Sequence, residues 1–392
     1  MRSSTIIFGR CGFFLLLLAG GVAPVAAQGQ VSSNVLVPSE SLAAALPPAE
    51  WARVEGCVDH ALAWLATQQA VDGSFPTRPM AQPAVTSLCV LAFLSRGHQP
   101  GVGPYGAQLE RAIDYVIACQ KPDGLLCLET PEPFFNMHGP SYGGSYGHAI
   151  AGLMLSEVFG DVRGERSRKV KKAVQKALQY TFDLQVRHKK YINDKGGWRY
   201  VRIQPAPNDA DSDISVTGWQ LMFLRSARNA EFKVPQKYID DAMDYVHRTW
   251  NEQEGMFRYE VSAAQTDRYS RGTTASAIVS LALGGQHQSP QALTAGEWLL
   301  AHPFRTFGEQ YGRADRFFYS TYYCSQAAAQ LGGRYWTGIF PPIASILLKI
   351  QHPDGSFPLE NRNDGVFGGC YSSSMAVLSL TPAYQILPVY QR

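Results

Sequence analysis

The chain has 392 residues, 45% of them hydrophobic and 17% charged, and its 35 basic side chains nearly balance its 32 acidic ones. The formal charge of +3 includes Arg2 and Arg10 near the N-terminus, and without them the chain is closer still to neutral. Such a balance gives no electrostatic footprint for nucleic acid.

At the N-terminus, Arg2 and Arg10 precede the apolar run from Cys11 to Ala19, and the small residues Val25, Ala26 and Ala27 follow. This is the order of a secretory signal peptide, which predicts residues 1–27 as a leader and the mature protein as exported, periplasmic or extracellular. The apolar run is shorter than the ~20 residues a membrane-spanning helix needs. Residues 28–50 are rich in Ser, Ala and Pro without periodicity and predict a flexible linker. Residues 51–392 then form one folded domain.

Helical periodicity runs through that domain. Val58, Ala61, Leu62 and Leu65 make a first apolar stripe; Leu109, Ala112, Ile113, Val116 and Ile117 a second; Val170, Ala173, Val174, Ala177 and Leu178 a third. Ile239, Ala242, Met243, Val246 and Trp250 make a fourth, a weak fifth lies near 293–300, and Ile343, Ile346, Leu347 and Ile350 make a sixth. Each stripe alternates with a more uniformly apolar segment, at 85–94, 148–158, 216–227, 274–283, 322–331 and 371–380. A helix apolar on all sides must be buried on all sides. Six helical hairpins with amphipathic helices outside and apolar helices inside are therefore expected, an all-α fold closed into an α/α toroid.

A phrase repeats at the hairpin turns: Gln69 with Asp72-Gly73, Gln120 with Asp123-Gly124, and Gln351 with Asp354-Gly355. A repeat period of about 50 residues marks stacked supersecondary units. The phrase, with Lys195-Gly196-Gly197-Trp198 as a longer variant, resembles the repeats of squalene/oxidosqualene cyclases and protein prenyltransferase β subunits. The likeness runs from about residue 55 to the C-terminus. The segments at 213–220 and 322–326 also look like those of exported bacterial repeat proteins in this superfamily.

The resemblance implies a central cavity ringed at its mouth by the N-termini of the inner helices. Stacked by their first turns, those helices put Thr86, His148, Thr217, Thr274, Tyr323 and Ser372 in one column. The threonines and Ser372 read as helix caps. His148 is a poor cap and follows a glycine-rich, aromatic stretch at 142–147, which makes it a candidate ligand contact as well as a structural histidine. Trp219, Tyr319, Tyr322 and Tyr323 are candidates for aromatic walls, which hold apolar chains and stabilise cations.

Squalene–hopene-type cyclases protonate substrate with an Asp-x-Asp-Asp-Thr-Ala segment. Here the corresponding loop is Asp209-Ala210-Asp211-Ser212-Asp213-Ile214-Ser215, with the third aspartate and the Thr-Ala pair missing. If the protein is an enzyme, Asp209, Asp211 and Asp213 are its expected acid/base groups, with mutual repulsion raising at least one pKa; the competing reading makes Asp213 a helix cap. Prenyltransferase β subunits bind zinc through an Asp-Gly-Cys-Tyr segment and a later histidine. The match here, Gly368-Gly369-Cys370-Tyr371, keeps the cysteine alone, and no histidine follows it. Cys370 thus remains a ligand contact candidate, while neither a metal nor another cofactor is expected.

Of the six cysteines beyond the leader, Cys119 and Cys127 flank a turn and form the pair suited to a disulfide test. The expected function is an exported toroid that acts on, or binds, an isoprenoid or other lipid in an apolar aromatic cavity. The alternatives are a cell-surface scaffold for a cell-envelope protein partner, and a glycan-active toroid enzyme using the 209–213 carboxylates with Arg271.

Overall fold

The computed structural model describes residues 40–134, 136, 139–201, 210–261, 268–309, 311, 315–360 and 363–391, and the structural statements below concern these. After a short helix α1 (Glu40–Ala43), the chain alternates six times between an outer and an inner helix. The outer series is α2 (Pro48–Gln68), α4 (Gly106–Ala118), α6 (Gly164–Gln185), α8 (Gln236–Arg248), α10 (Pro290–Ala301) and α12 (Gly333–Ile350). The inner series is α3 (Ala84–Ser95), α5 (Pro140–Glu157), α7 (Ile214–Asn229), α9 (Arg271–Leu283), α11 (Phe317–Leu331) and α13 (Gly369–Leu380). Each inner helix packs on the next, and α13 returns to α3, so the six close into a ring. Strands β1 (Trp250–Asn251) and β2 (Met256–Phe257) pair antiparallel in the turn between α8 and α9. The fold is the expected all-α toroid.

Sequence periodicity explains the two rings. Helix α6 buries Val170, Ala173, Val174, Ala177 and Leu178 and turns its Lys and Arg residues outward, as an amphipathic outer helix should. Every residue of α3 is buried, because outer helices cover one side and ring neighbours the rest.

The repeated turn phrase is a clamp. Gln69 Nε2 donates to Gly73 O at 3.1 Å in its own turn and to Gln108 O on α4 at 2.8 Å. Gln120 repeats this toward Gly124 O and Ala173 O on α6. Gln185, the glutamine of the longer variant, reaches Gly196 O and Tyr238 O on α8. The glycines at 73, 124, 196 and 355 have φ between 85° and 102°. A Cβ at each would lie 1.8–2.5 Å from a carbonyl oxygen of an outer helix, so glycine is required twice over.

Four sequence expectations are corrected. The sequence predicts a linker over 28–50, yet Leu42 and Leu46 are buried, and Trp336 Nε1 donates to Leu42 O at 2.7 Å. The packed domain therefore begins before residue 51, because apolar side chains follow Glu40; residues 28–39 lie outside the described residues. Helix α5 begins eight residues before the expected 148 and takes in the glycine-rich stretch. Its glycines serve packing: a Cβ on Gly143 would meet Met80 O at 2.0 Å. Helix α11 likewise starts at Phe317 rather than 322, and Trp250, placed in the fourth stripe, lies in β1. Cys57, Cys89, Cys119, Cys127, Cys324 and Cys370 are buried free thiols, so Cys119 and Cys127 are unbridged in this structure.

Candidate functional site

A cavity of about 300 Å³ lies at the N-terminal ends of the inner helices. Every inner helix contributes from its first turns: Leu88 from α3, Tyr142 and Tyr146 from α5, Trp219 from α7, Thr273 from α9, Tyr319 from α11 and Tyr371 from α13. Tyr200, Tyr259, Arg268, Arg316, Asp364 and Phe367 come from the connections that precede those helices. The wall is thus mainly aromatic and aliphatic, with Arg268, Arg316 and Asp364 as its charged members. Neighbouring rings brace one another, as Tyr142 does against Tyr146 and Tyr200 with centroids 5.2 and 5.1 Å apart. Ser215 Oγ donates to Tyr319 OH at 2.6 Å and fixes that ring.

Asp364 is the carboxylate that lines the cavity among the described residues. Tyr371 OH donates to its Oδ2 at 3.2 Å, and Arg316 Nε lies 3.4 Å from its Oδ1. Burial raises its pKa above the ordinary carboxylate range, against the pull of Arg316 and Tyr371. The neighbouring Glu360, whose Oε1 accepts the Phe318 N–H at 2.7 Å, is pushed up to about 7 by burial and by the charge of Asp364. Two carboxyls that both resist ionisation beside one guanidinium hold a proton near neutrality. Sequence reasoning missed Asp364, because it sits in a short 3-10 turn, Asn363–Phe367, with no motif around it.

A second buried network stands beside the cavity. Arg199 Nη1 lies 2.5 Å from Glu260 Oε2 and 3.6 Å from Asp213 Oδ2. Asp213 caps α7, accepting the Val216 N–H at 2.8 Å on Oδ1. Its pKa is raised to about 6 by burial, with Glu260 adding to the rise and Arg199 opposing it. The carboxylate that adds to this rise is Glu260, not a neighbour in the 209–213 loop.

The expected site residues fall into separate places. Trp219 and Tyr319 line the cavity. Tyr322 and Tyr323 lie behind Trp219, with Tyr322 stacked on it at 5.5 Å. Asp213 is fully buried in its cap. The Asp211 carboxylate accepts the Lys190 N–H at 2.7 Å, and its own N–H donates to Asp194 Oδ2 at 2.6 Å, which ties the loop to the third hairpin. Asp209 lies outside the described residues. Arg271 does not face a groove: it is buried, donates from Nη2 to Asp315 Oδ2 at 2.7 Å, and lies over the Phe304 ring at 3.8 Å. It organises the connection between α10 and α11, where the clamp phrase is lost.

His148 and Cys370 are packed away from the cavity. His148 Nδ1 accepts the Leu126 N–H at 3.2 Å, so its Nε2–H faces Thr181 Oγ1 at 2.9 Å. Burial pushes its pKa down to about 3, leaving it neutral. The same bond recurs around the ring: Thr86, Thr217, Thr274 and Ser373 each accept from the backbone N–H of Phe75, Trp198, Phe257 and Phe357. His148 is the α5 version of a structural latch, and in α13 the latch is Ser373 rather than Ser372. Cys370 is buried, with its carbonyl facing the Cys89 thiol at 3.8 Å. Among the described residues no cluster of His, Cys, Asp and Glu is arranged to hold a metal ion.

No family model matches the sequence, and no curated protein matches it. Solved structures do match. The type II terpene cyclase MstE from Scytonema, without ligand, aligns at TM-score 0.52 and 14% identity over 86% of this chain and 99% of that one. An inactive variant of an alpha-1,6-mannanase from Salegentibacter, solved with alpha-1,6-mannotriose, aligns at TM-score 0.58 and 10% identity over 85% and 99%. A glycosidase variant solved with glucose aligns at TM-score 0.54 and 13% identity over 88% and 100%. At such identities the likeness is one of fold. That fold is the α/α toroid, a frame shared by a terpene cyclase and by glycosidases.

Proposed function

We propose that the cavity takes an isoprenoid or similar lipid-like molecule, and that Asp364 is the group placed to protonate it. The observation that carries this reading is the combination of an aromatic wall with one lining carboxyl, Asp364, whose pKa burial raises and beside which Glu360 is also pushed up. In such a step the π pair of an alkene takes the Asp364 proton. A new C–H bond forms, the carboxyl becomes a carboxylate, and a carbocation remains. The faces of Tyr142, Tyr146, Trp219 and Tyr319 suit that cation, each contact contributing ~0.5–2 kcal/mol. Ring closure ends when the cation loses a proton back to a carboxylate or to water. The solved terpene cyclase supports this reading through its fold alone.

The glycan-active reading is supported by the fold of the mannanase and the glycosidase. Glycosidases set two carboxyl groups across the scissile bond, roughly 5–9.5 Å apart. Against that requirement, Asp364 is the one carboxylate lining the cavity among the described residues. We further propose that residues 1–27 direct export and that a non-catalytic binding role, or a cell-envelope partner, is the fallback if turnover is absent. Native mass spectrometry of protein purified from its own cells tests the proposal. An apolar adduct of isoprenoid or lipid mass is expected; an oligosaccharide adduct, or none under conditions that retain detergent-sized ligands, overturns it.

A further inference from the structure

The C-terminal segment crosses the face of the ring opposite the cavity mouth. It leaves α13 at Thr381, runs through the turns Pro382–Tyr384 and Pro388–Tyr390, and ends against α7. In the ring order, α7 lies three helices from α13 in either direction, so the segment spans the ring's full width. Its anchors are the C-terminal ends of inner helices: Asn229 Nδ2 donates to Pro388 O at 3.0 Å, and Gln330 Nε2 to Tyr390 O at 2.9 Å. These hold the buried Tyr390 ring in the centre. Its hydroxyl donates to Met222 Sδ at 3.2 Å and is hydrogen-bonded with Tyr322 OH. Tyr322 in turn stacks on Trp219 at 5.5 Å, nearly parallel, and Trp219 lines the cavity.

A continuous chain of contacts, one ring stack and one hydroxyl hydrogen bond, thus runs from the cavity wall to the C-terminal segment. Nothing in the clamp or latch pattern requires it, because the residues of both lie within the hairpins and not in this segment. We propose that residues 382–391 form the supporting floor of the ligand cavity, and that Tyr390, acting through Tyr322 and Trp219, sets the length of apolar chain the cavity accepts. Tyr390 is a positioning residue here: it touches the floor rather than the ligand. Without its ring, Tyr322 and Trp219 can drop toward the C-terminal face, and the blind cavity deepens along the ring axis. This inference rests on the proposed lipid-like ligand.

The test is binding of a homologous series of straight-chain alkanols to the full chain, followed by isothermal titration, for wild type, Tyr390→Phe, Tyr390→Ala and Gln330→Ala. Wild type should show a chain length beyond which affinity stops rising. Tyr390→Phe keeps the ring and should keep that limit. Tyr390→Ala should move it up by several methylene groups, with affinity beyond the old limit rising roughly fourfold per added methylene. Gln330→Ala unties the segment without emptying the centre, so it remains informative if Tyr390→Ala does not fold; it should move the limit in the same direction by less. If alkanols bind but the limit stays put in every folded variant, the floor assignment is wrong and the lipid-like cavity stands. If no alkanol binds wild type, the cavity reading itself fails and takes this inference with it.

Discussion

Gln351, at the end of the last outer helix, donates from Nε2 to the carbonyl of Cys57 in the first outer helix at 2.8 Å, and to its own turn at Gly355 O at 3.0 Å. Equivalent clamps elsewhere join consecutive outer helices; this one joins the two ends of the domain across 294 residues. Ring closure therefore uses the same bond as ring propagation. Removing Gln351 opens the seam, whereas removing Gln120 weakens one internal joint.

Gln351→Ala should destabilise the protein by about 2 kcal/mol, roughly 1 for each lost bond. Gly355→Ala should cost more, because φ is +94° and the added Cβ would lie 2.5 Å from His60 O. Denaturant titration measures both. The seam interpretation also expects faster hydrogen exchange along α2 and α13 in Gln351→Ala, but not in Gln120→Ala. Equal exchange patterns in the two variants would contradict it.

His148→Ala should cost about 3 kcal/mol or more, since it empties a buried site and orphans the Leu126 N–H. Affinity for a cavity ligand should survive in the folded fraction. The pH dependence has a definite sign. With a folded pKa near 3 against an ordinary 6.5, the unfolded chain binds the proton more readily, so this group's stabilisation is full above 6.5 and is lost as pH falls from there toward 3. His148→Gln should flatten that acid limb in thermal melts. A ligand-binding histidine would instead leave stability alone and change affinity.

The pattern of what could be read from the sequence follows the physics. The stripes, the six hairpins and the closed ring were legible, because burial of an apolar face leaves a period in the chain. The clamp glutamines were visible as a phrase, though not their purpose, and Gln185 was hidden by the ten residues between it and Gly196. The α5 start was illegible: glycines that lower helix propensity are retained there for backbone contact with Met80. Of the aromatic candidates, Trp219 and Tyr319 reach the cavity, but Tyr322 and Tyr323 lie one layer behind. Asp364 could not be found, because its raised pKa comes from burial, against the pull of Arg316 and Tyr371, and only the fold creates that burial.

Glu157, at the C-terminal end of α5, accepts from Ser226 Oγ and, at 3.5 Å, from the Val389 N–H of the C-terminal segment. Burial raises its pKa from 4.5 to about 7. Because the folded value is the higher one, its stabilisation is complete below about 4.5 and is lost as pH rises through about 7. Glu157→Gln keeps an acceptor for Ser226 without the charge. It should match wild type near pH 4 and exceed it above pH 7, by up to roughly 3 kcal/mol at 1.36 kcal/mol per unit. Glu360 titrates in the same window and supplies the slope that remains. Thermal melts across this range check it; a variant less stable than wild type at high pH would show that the ionised form is accommodated.

The choice between Asp364 and the 209–213 loop is the sharpest test of the site. Asp364 lines the cavity, whereas Asp213 is sealed in its cap against Arg199, and the Asp211 carboxylate is turned to the Lys190 N–H. Asp364→Asn should keep affinity for an apolar chain and lower any turnover of a polyene by about 10²–10⁴-fold, the usual worth of a positioned acid. In wild type, turnover should fall as pH rises through the pKa of the coupled Asp364–Glu360 pair, because the protonated form is the active one. Asp213→Asn should leave turnover nearly unchanged, since asparagine caps as well as aspartate. Asp213→Ala should cost about 1 kcal/mol of stability or more, without changing affinity. Turnover measured against a panel of linear polyprenols, product formation followed by mass spectrometry, separates the two. If Asp213→Asn abolishes turnover while Asp364→Asn retains it, the acid belongs to the cyclase-like loop after all. In that case the Asp213 cap must open before the reaction, which the pH and temperature dependence of turnover would then reveal as a gated step.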